Sequence, residues 1–162
     1  MGDTSRRVWI KRHLIDIILV LLVVSYLVLR LSGGGLAVVS GRSMEPTLHT
    51  GDVVIYVKKD PAELKEGDVV IFVSNRGLVI HRVVEKYEVG SRICFIIQGD
   101  NNPVPDIGDP QLCPPLASVP GYERSPGIPE EWIVGKVVDV NGYVIKIPYI
   151  GIVALAIHNI FR

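Results

Sequence analysis

The stretch DVVIFVSNRGLVIHRVVEKYEV, from Asp68 to Val89, decides the fold class. Two β-branched runs flank the turn triplet Asn75-Arg76-Gly77. The second run alternates, so a strand would carry Val79, His81 and Val83 on one face and Ile80, Arg82 and Val84 on the other. His81 thus shares an apolar face. Buried there without a hydrogen-bond partner, an imidazole costs about 1 to 3 kcal/mol, so this ring needs one. A satisfied core histidine is the bland explanation; a chemical role requires partners from elsewhere in the chain.

Working outward, similar runs recur as LAVVS (36–40), DVVIYV (52–57), RICFIIQ (92–98), WIVGKVVDV (132–140) and YVIKI (143–147), broken by Gly, Asn and Pro. Short strands in this pattern predict a mainly β fold, an antiparallel sheet domain over residues 32–162, rather than a βαβ array. GDVVIY and GDVVIF, sixteen residues apart, read as two similar turn-to-strand entries and not as a periodic array. Eight prolines between Pro103 and Pro129 predict a long surface loop, functional at its start and an excursion in its middle. The C-terminal apolar stretch Tyr149 to Ala156 is short for a membrane span and reads as a core segment or an interface-lying piece.

The N-terminal side is different in kind. Residues 14–31, LIDIILVLLVVSYLVLRL, form a run that as a helix is about 27 Å long, close to the hydrocarbon thickness of a bilayer. No polar face interrupts it, which argues against a buried core helix. A cleaved signal peptide would leave few residues before Ser43, so an uncleaved signal anchor is expected. Residues 1–13 carry Arg6, Arg7, Lys11 and Arg12 against Asp3. That excess predicts a cytoplasmic N-terminus, a single pass through the cell membrane and an extracytoplasmic domain.

The whole chain of 162 residues balances 17 Lys+Arg with 17 Asp+Glu, yet residues 1–32 hold five basic and two acidic residues, while 33–162 hold twelve and fifteen. Without a basic excess in the β domain, a nucleic-acid partner is not expected. At 48% hydrophobic the chain is too apolar to be disordered. Its two cysteines, Cys94 and Cys113, cannot build a paired-CxxC zinc knuckle; a disulfide and a free buried Cys94 both stay open.

Candidates for chemistry come next. In GRSMEPTL (41–48) the Glu45-Pro46 step favours extended or turn backbone, from which the Ser43 hydroxyl can project. A serine is a weak nucleophile without a base. Of the four histidines, His13 lies among basic residues, His158 near the C-terminus and His49 in a turn; His81 is the one on a strand. QGDNNPVPDIGD (98–109) offers Asp100, Asp106 and Asp109, with Asn101 and Asn102 supplying turn bonds. As a calcium loop it lacks the alternating ligands and the terminal glutamate, and no metal or organic cofactor is expected.

In order, GRSMEPTL, GDVVIY, GDVVIFV with IHRVV, QGDNNPVPD, and VGKVV with IPYIG resemble the successive boxes of type I signal peptidases, covering Val38 to Val153. Bacterial members of that family use a lysine base in the equivalent of IHRVV. A histidine there, with GDNN and a trailing aspartate, resembles the archaeal and endoplasmic-reticulum type. The resemblance implies a membrane-bound serine endopeptidase that removes signal peptides from secretory preproteins, cutting after small residues at positions −1 and −3. It implies Ser43 as nucleophile, His81 as base and Asp106 as the orienting acid, with Asp100 as accessory or alternative. Met44, Ile80 and Val39 would line the substrate pocket, although core packing explains them nearly as well. The bilayer, preproteins and subunits of a secretion machinery are the implied partners.

One departure stands out: the family often carries Ser-Gly-Ser-Met, whereas here Gly41 lies two residues before Ser43. A hydroxyl that helps form the oxyanion hole in bacterial relatives is missing, leaving the Ser43 N–H as main donor or Ser40 as recruit. A non-catalytic, membrane-anchored β module of a secretion complex is the alternative reading, and it would have no use for Ser43, His81 and an acid together. A self-cleaving repressor protease would need a DNA-binding domain in place of the anchor.

Overall fold

The computed structural model describes residues 3–115 and 121–160, without the side chains of 3–12, 153 and 158–160. Helix α1 runs over Asp3–Leu31, so the basic N-terminal residues from Asp3 onward continue the apolar helix. Its stretch His13–Leu31 is long and apolar enough to cross a membrane, and none of it is buried against the β domain. The helix ends at glycines: Gly33 has φ +78° and the Gly34 N–H donates to Leu29 O. Gly34 and Gly35 are buried, and a Cβ on either would press on Tyr56. This packing starts the first strand directly below the helix.

The β domain is built from β1 (Gly35–Val38), β2 (Val53–Val57), β3 (Val69–Ser74), β4 (Gly77–Val89), β5 (Arg92–Gln98), β6 (Ile128–Pro129), β7 (Ile133–Val137), β8 (Asp139–Val140), β9 (Tyr143–Val144) and β10 (Lys146–Ile147), followed by helix α2 (Ile152–Ile160). The main sheet has the order β1-β2-β7-β3-β4-β5-β6, all pairs antiparallel, with β10 also on β2. Val53 and Val54 pair with both β1 and β10, so β10 shares the β7 side of β2.

Both faces of this sheet are covered. In β3, Val69 and Ile71 join Val39, Met44, Leu48, Val54 and Val137 on one face, while Val70 and Phe72 join Leu64, Val83, Phe95, Ile97 and Ile128 on the other. Two-sided burial is why VVIF reads as a continuous apolar run with no polar alternation. In β4 the sequence alternation holds around the site: Val79 and Val83 pack into the second cluster and Ile80 into the first. The strand bulges between Val83 and Glu85, which lets one long strand pair with β3 at its start and β5 at its end.

Several expectations are corrected. WIVGKVVDV and YVIKI are not two continuous strands: Trp132 lies in a 3₁₀ turn, and β8–β9 split off as a separate hairpin. Its turn is Asn141-Gly142 with φ of 53° and 82°, the geometry that Asn-Gly favours between paired strands. The proline-rich segment ends in sheet, since Pro129 pairs with Cys94 in the edge strand β6, where a missing N–H is tolerated. Residues 116–120, which include Pro120 and the middle of the expected excursion, lie outside the described residues. The alternative left open for Cys94 resolves to a disulfide with Cys113, closing a 19-residue separation between β5 and the loop. Of the two readings of the C-terminal segment, core or interface-lying piece, the core one is ruled out, because Tyr149, Ile150, Ile152 and Ile157 are all exposed.

The β1–β2 connection is braced by a buried carboxylate. Asp52 is fully buried and accepts from the His49 N–H (2.9 Å), the Tyr149 N–H (3.3 Å) and Lys146 Nζ (2.7 Å); the same ammonium donates to Thr47 O at 2.9 Å. Burial pushes this carboxyl up, but the His49 N–H and the Lys146 ammonium outweigh it and hold the group below its ordinary range. A depressed folded value contributes stability that is fully present above the unfolded value of about 3.9 and lost as pH falls through the folded one. Lys146→Met is expected to cost about 2 to 3 kcal/mol at pH 7, and less at about pH 3, where the Asp52 pair weakens in the parent too. Urea unfolding of both proteins at the two pH values checks this; an equal cost at both would contradict it.

Candidate active site

Ser43 lies in the β1–β2 connection, a loop fixed at both ends. Its neck is closed by Val39 N–H to Asp52 O and Gly51 N–H to Val39 O, and across it the Thr50 hydroxyl donates to Gly41 O. Met44 and Leu48 are buried beneath it in the first core cluster. His81 comes from β4, at the last position where that strand has only β3 as neighbour, because pairing with β5 begins at Arg82. Asp106 comes from the loop after β5 and is docked back on that strand by its own N–H to Ile97 O at 2.8 Å.

Three chain-distant side chains meet here. His81 Nε2 is 2.9 Å from Ser43 Oγ, and His81 Nδ1 is 2.6 Å from Asp106 Oδ2. An ionised carboxylate only accepts, so Nδ1 carries the proton and Nε2 presents its lone pair to the Ser43 hydroxyl. His81 is only 5% exposed, with Phe72 tilted against its ring at 6.3 Å between centroids. Both ring nitrogens are satisfied, so the burial that made His81 conspicuous carries no unpaired-group penalty.

Asp100 does not touch this ring. Arg82 grips both of its oxygens, Nε at 2.8 Å and Nη2 at 2.7 Å, and the Thr47 hydroxyl donates to it at 2.5 Å. Burial pushes the Asp100 carboxyl up, but the Arg82 guanidinium and the Thr47 hydroxyl hold it below the ordinary carboxylate range. Asp100 therefore ties the Ser43 loop, through Thr47, to β4. Asp109, the third acid, caps a turn by accepting from the Gln111 and Leu112 N–H groups. His49 contributes its backbone N–H to Asp52. His13 lies on α1 near Asp16, and the His158 side chain lies outside the described residues.

A cleft opens above Ser43. Its walls include Leu36 to Ser40, Met44, Leu78 to His81, Asn102 and Val104 to Gly108. Val39, Met44 and Ile80 serve as both wall and core, since each also packs in or against the first cluster. Among the described residues β1 is paired only with β2, and the Gly77–His81 part of β4 only with β3. The cleft is therefore flanked by two strand segments, each with one edge that no described strand pairs. An extended peptide finds backbone partners in such a place.

Residues to which the sequence reading gave no role in the site hold it together: Thr47, Arg82, Gly99 and, beyond its expected turn bonds, Asn101. A Cβ on Gly99 would lie 2.6 Å from Ser43 O and 2.9 Å from His81 Nε2 and Asn102 Nδ2. Gly99→Ala is expected to cost about 1 to 3 kcal/mol of stability through overpacking, and to lower turnover at least tenfold by displacing Ser43 from His81. Thermal unfolding together with a turnover assay checks this, and an unchanged pair of values would show that the turn has slack. The signal for Gly99 was present, as a glycine turn directly after a strand; its contact with residue 43 was not.

Comparison with known proteins places this constellation in context. The family model described as signal peptidase, peptidase S26, matches residues 7–94, more than half of the chain and a stretch that includes Ser43 and His81. Signal peptidase I W of Bacillus subtilis is 37% identical over 100 residues, which are 56% of this chain and 50% of that protein. The human signal peptidase complex catalytic subunit SEC11C is 35% identical over 85 residues, 51% of this chain and 44% of its own length. An uncharacterized protein of Methanocaldococcus jannaschii, MJ0260, is 34% identical over 77 residues, 48% of this chain and 29% of its length. The chain thus spans half or less of the length of these relatives. The match of the family model across more than half the sequence, over the segments that carry the serine and the histidine, means that the chain belongs to the signal peptidase, peptidase S26, family.

Proposed function

We propose that the protein is a membrane-bound serine endopeptidase that removes signal peptides from secretory preproteins, with Ser43 as nucleophile, His81 as general base and Asp106 as its orienting acid. The observation that carries this reading is the unbroken hydrogen-bond chain Asp106–His81–Ser43 in the wall of a cleft flanked by unpaired strand edges. In the reaction His81 Nε2 takes the Ser43 proton as Oγ attacks the scissile carbonyl. It then delivers that proton to the leaving amine as the C–N bond breaks. In the second half His81 Nε2 takes a proton from water as the water oxygen attacks the acyl carbon, then returns it to Ser43 Oγ as the ester C–O bond breaks. Asp106 keeps the imidazole in the required tautomer and stabilises the imidazolium. The Ser43 N–H is the backbone donor to the oxyanion, and Ser40 in the same cleft wall is the nearby hydroxyl.

The cleavage site binds as an extended strand, with small residues at −1 and −3 facing the wall formed by Val39, Met44 and Ile80. α1 anchors the domain in the bilayer with its N-terminus in the cytoplasm, which the Arg6, Arg7, Lys11 and Arg12 cluster supports. A preprotein held in the same membrane by its own apolar segment then meets the site at raised effective concentration. Partner subunits of a secretion machinery are compatible with this arrangement.

Reaction with a serine-directed acylating inhibitor tests the reading against a non-catalytic β module. Stoichiometric label is expected on Ser43 in the full chain in detergent, and none in Ser43→Ala. Label spread over surface hydroxyls, unchanged in that variant, would favour the binding module.

A further inference from the structure

We infer that Asn101 is a positioning residue of the oxyanion site, acting through the peptide plane that joins Arg42 to Ser43; the inference rests on the serine endopeptidase reading above. The direction of the Ser43 N–H is set by the carbonyl on the other side of its peptide bond. The cis bond among the described residues is Glu45–Pro46, so the Arg42–Ser43 peptide is trans, and its N–H points away from Arg42 O. Asn101 Nδ2 donates to Arg42 O at 3.1 Å, and the Asn101 N–H donates to Ser43 O at 2.7 Å. One residue therefore draws two successive carbonyls to its own side, and both following N–H groups, of Ser43 and Met44, turn away from it. Among the described residues neither of these N–H groups donates a hydrogen bond within the chain.

Asn101 works from behind. Ser43, Met44 and Asn102 belong to the cleft wall and Asn101 does not, so its amide sets the donor without meeting the substrate. Arg42 O also accepts from the Glu45 N–H at 3.2 Å, a bond inside the 42–45 turn. Asn101 supplies the link from outside that turn, from the segment between Asp100 and Asp106. It thereby ties the orientation of the oxyanion donor to the half of the site that orients His81. Gly41 provides no hydroxyl two residues before the nucleophile, so more of the charge stabilisation falls on the backbone donor that Asn101 aims.

The test uses the full chain in detergent, an internally quenched peptide spanning a signal cleavage site, a peptide aldehyde of the same sequence and the matching unreactive alcohol. In Asn101→Ala, kcat is expected to fall on the order of 10- to 100-fold with KM within about twofold. Asn101→Asp, which keeps the size but sets a carboxylate oxygen against Arg42 O, is expected to be at least as damaging. The aldehyde, whose adduct with Ser43 places an oxyanion at the same donors, should lose affinity by the same factor as kcat, while binding of the alcohol stays unchanged. Turnover within about threefold of the parent in both variants, or equal losses for aldehyde and alcohol, would overturn the assignment and leave the serine reading intact. A parent protein that neither cleaves the peptide nor is acylated on Ser43 would overturn both.

Discussion

Ser43→Ala is expected to abolish preprotein cleavage, lowering turnover by about four orders of magnitude or more, while the protein remains folded. The expectation follows from the hydroxyl's surroundings. Among the described residues Ser43 Oγ hydrogen-bonds His81 Nε2 alone, and Met44 and Leu48, not Ser43, fill the core below it. Deleting it leaves His81 with its Asp106 bond and an Nε2 facing the cleft, a change of about 1 kcal/mol that the fold absorbs. Without an oxygen to attack the carbonyl, what remains is water activated by a well-held imidazole in a binding cleft, which is slow. Retained turnover in a folded Ser43→Ala protein would remove the nucleophile from the account altogether.

Asp106→Ala is expected to lower kcat by roughly 10² to 10⁴, and Asp106→Asn by a similar factor, because the imidazole is no longer held with its proton on Nδ1. Asp100→Ala should behave differently. Its carboxylate is spent on Arg82 and Thr47, so its loss frees an arginine and a hydroxyl and loosens the Ser43 loop without touching the His81 ring. The pair is partly exposed, so a stability cost of about 1 to 2 kcal/mol is expected, with kcat within about tenfold of the parent well below the unfolding temperature. Steady-state kinetics of the three variants, each with its thermal unfolding, separate the roles. If Asp100→Ala loses more kcat than Asp106→Ala, Asp106 is not the orienting acid.

Much of this is legible in the sequence, and the reasons are local. Period-two alternation in LVIHRVV put His81 beside Val79 and Val83, and an Asn-Arg-Gly turn announced the β3–β4 hairpin. A run of eighteen largely apolar residues required no tertiary information to be read as a helix of membrane length. What was not legible depends on contacts between distant segments. Both Asp100 and Asp106 sit in one polar loop, and only the path of the chain out of β5, with Asp106 N–H bonded back to Ile97 O, decides which carboxylate reaches the ring. Alternation places Arg82, one residue past the histidine, only on the opposite face of the strand; its role as the partner of Asp100 needed the register of β4 against β5, where Arg82 faces Gln98. Cys94 in a strand and Cys113 in a proline-rich loop gave no sign of pairing, because the loop's return to β5 has no periodic signature. For the C-terminal apolar run the choice between core and interface was not legible, because hydrophobicity states that a segment avoids water, not what covers it; its exposed side chains rule out the core alternative.

The most direct measurement is cleavage of a model preprotein in detergent by the parent chain and by the Ser43, His81, Asp106 and Asp100 alanine variants, with the new N-terminus of the product sequenced. The account predicts one cut after a small residue with another small residue two positions before it, lost in Ser43→Ala, His81→Ala and Asp106→Ala and largely retained in Asp100→Ala. Cleavage that survives in Ser43→Ala, or no cleavage by the parent chain, would contradict it.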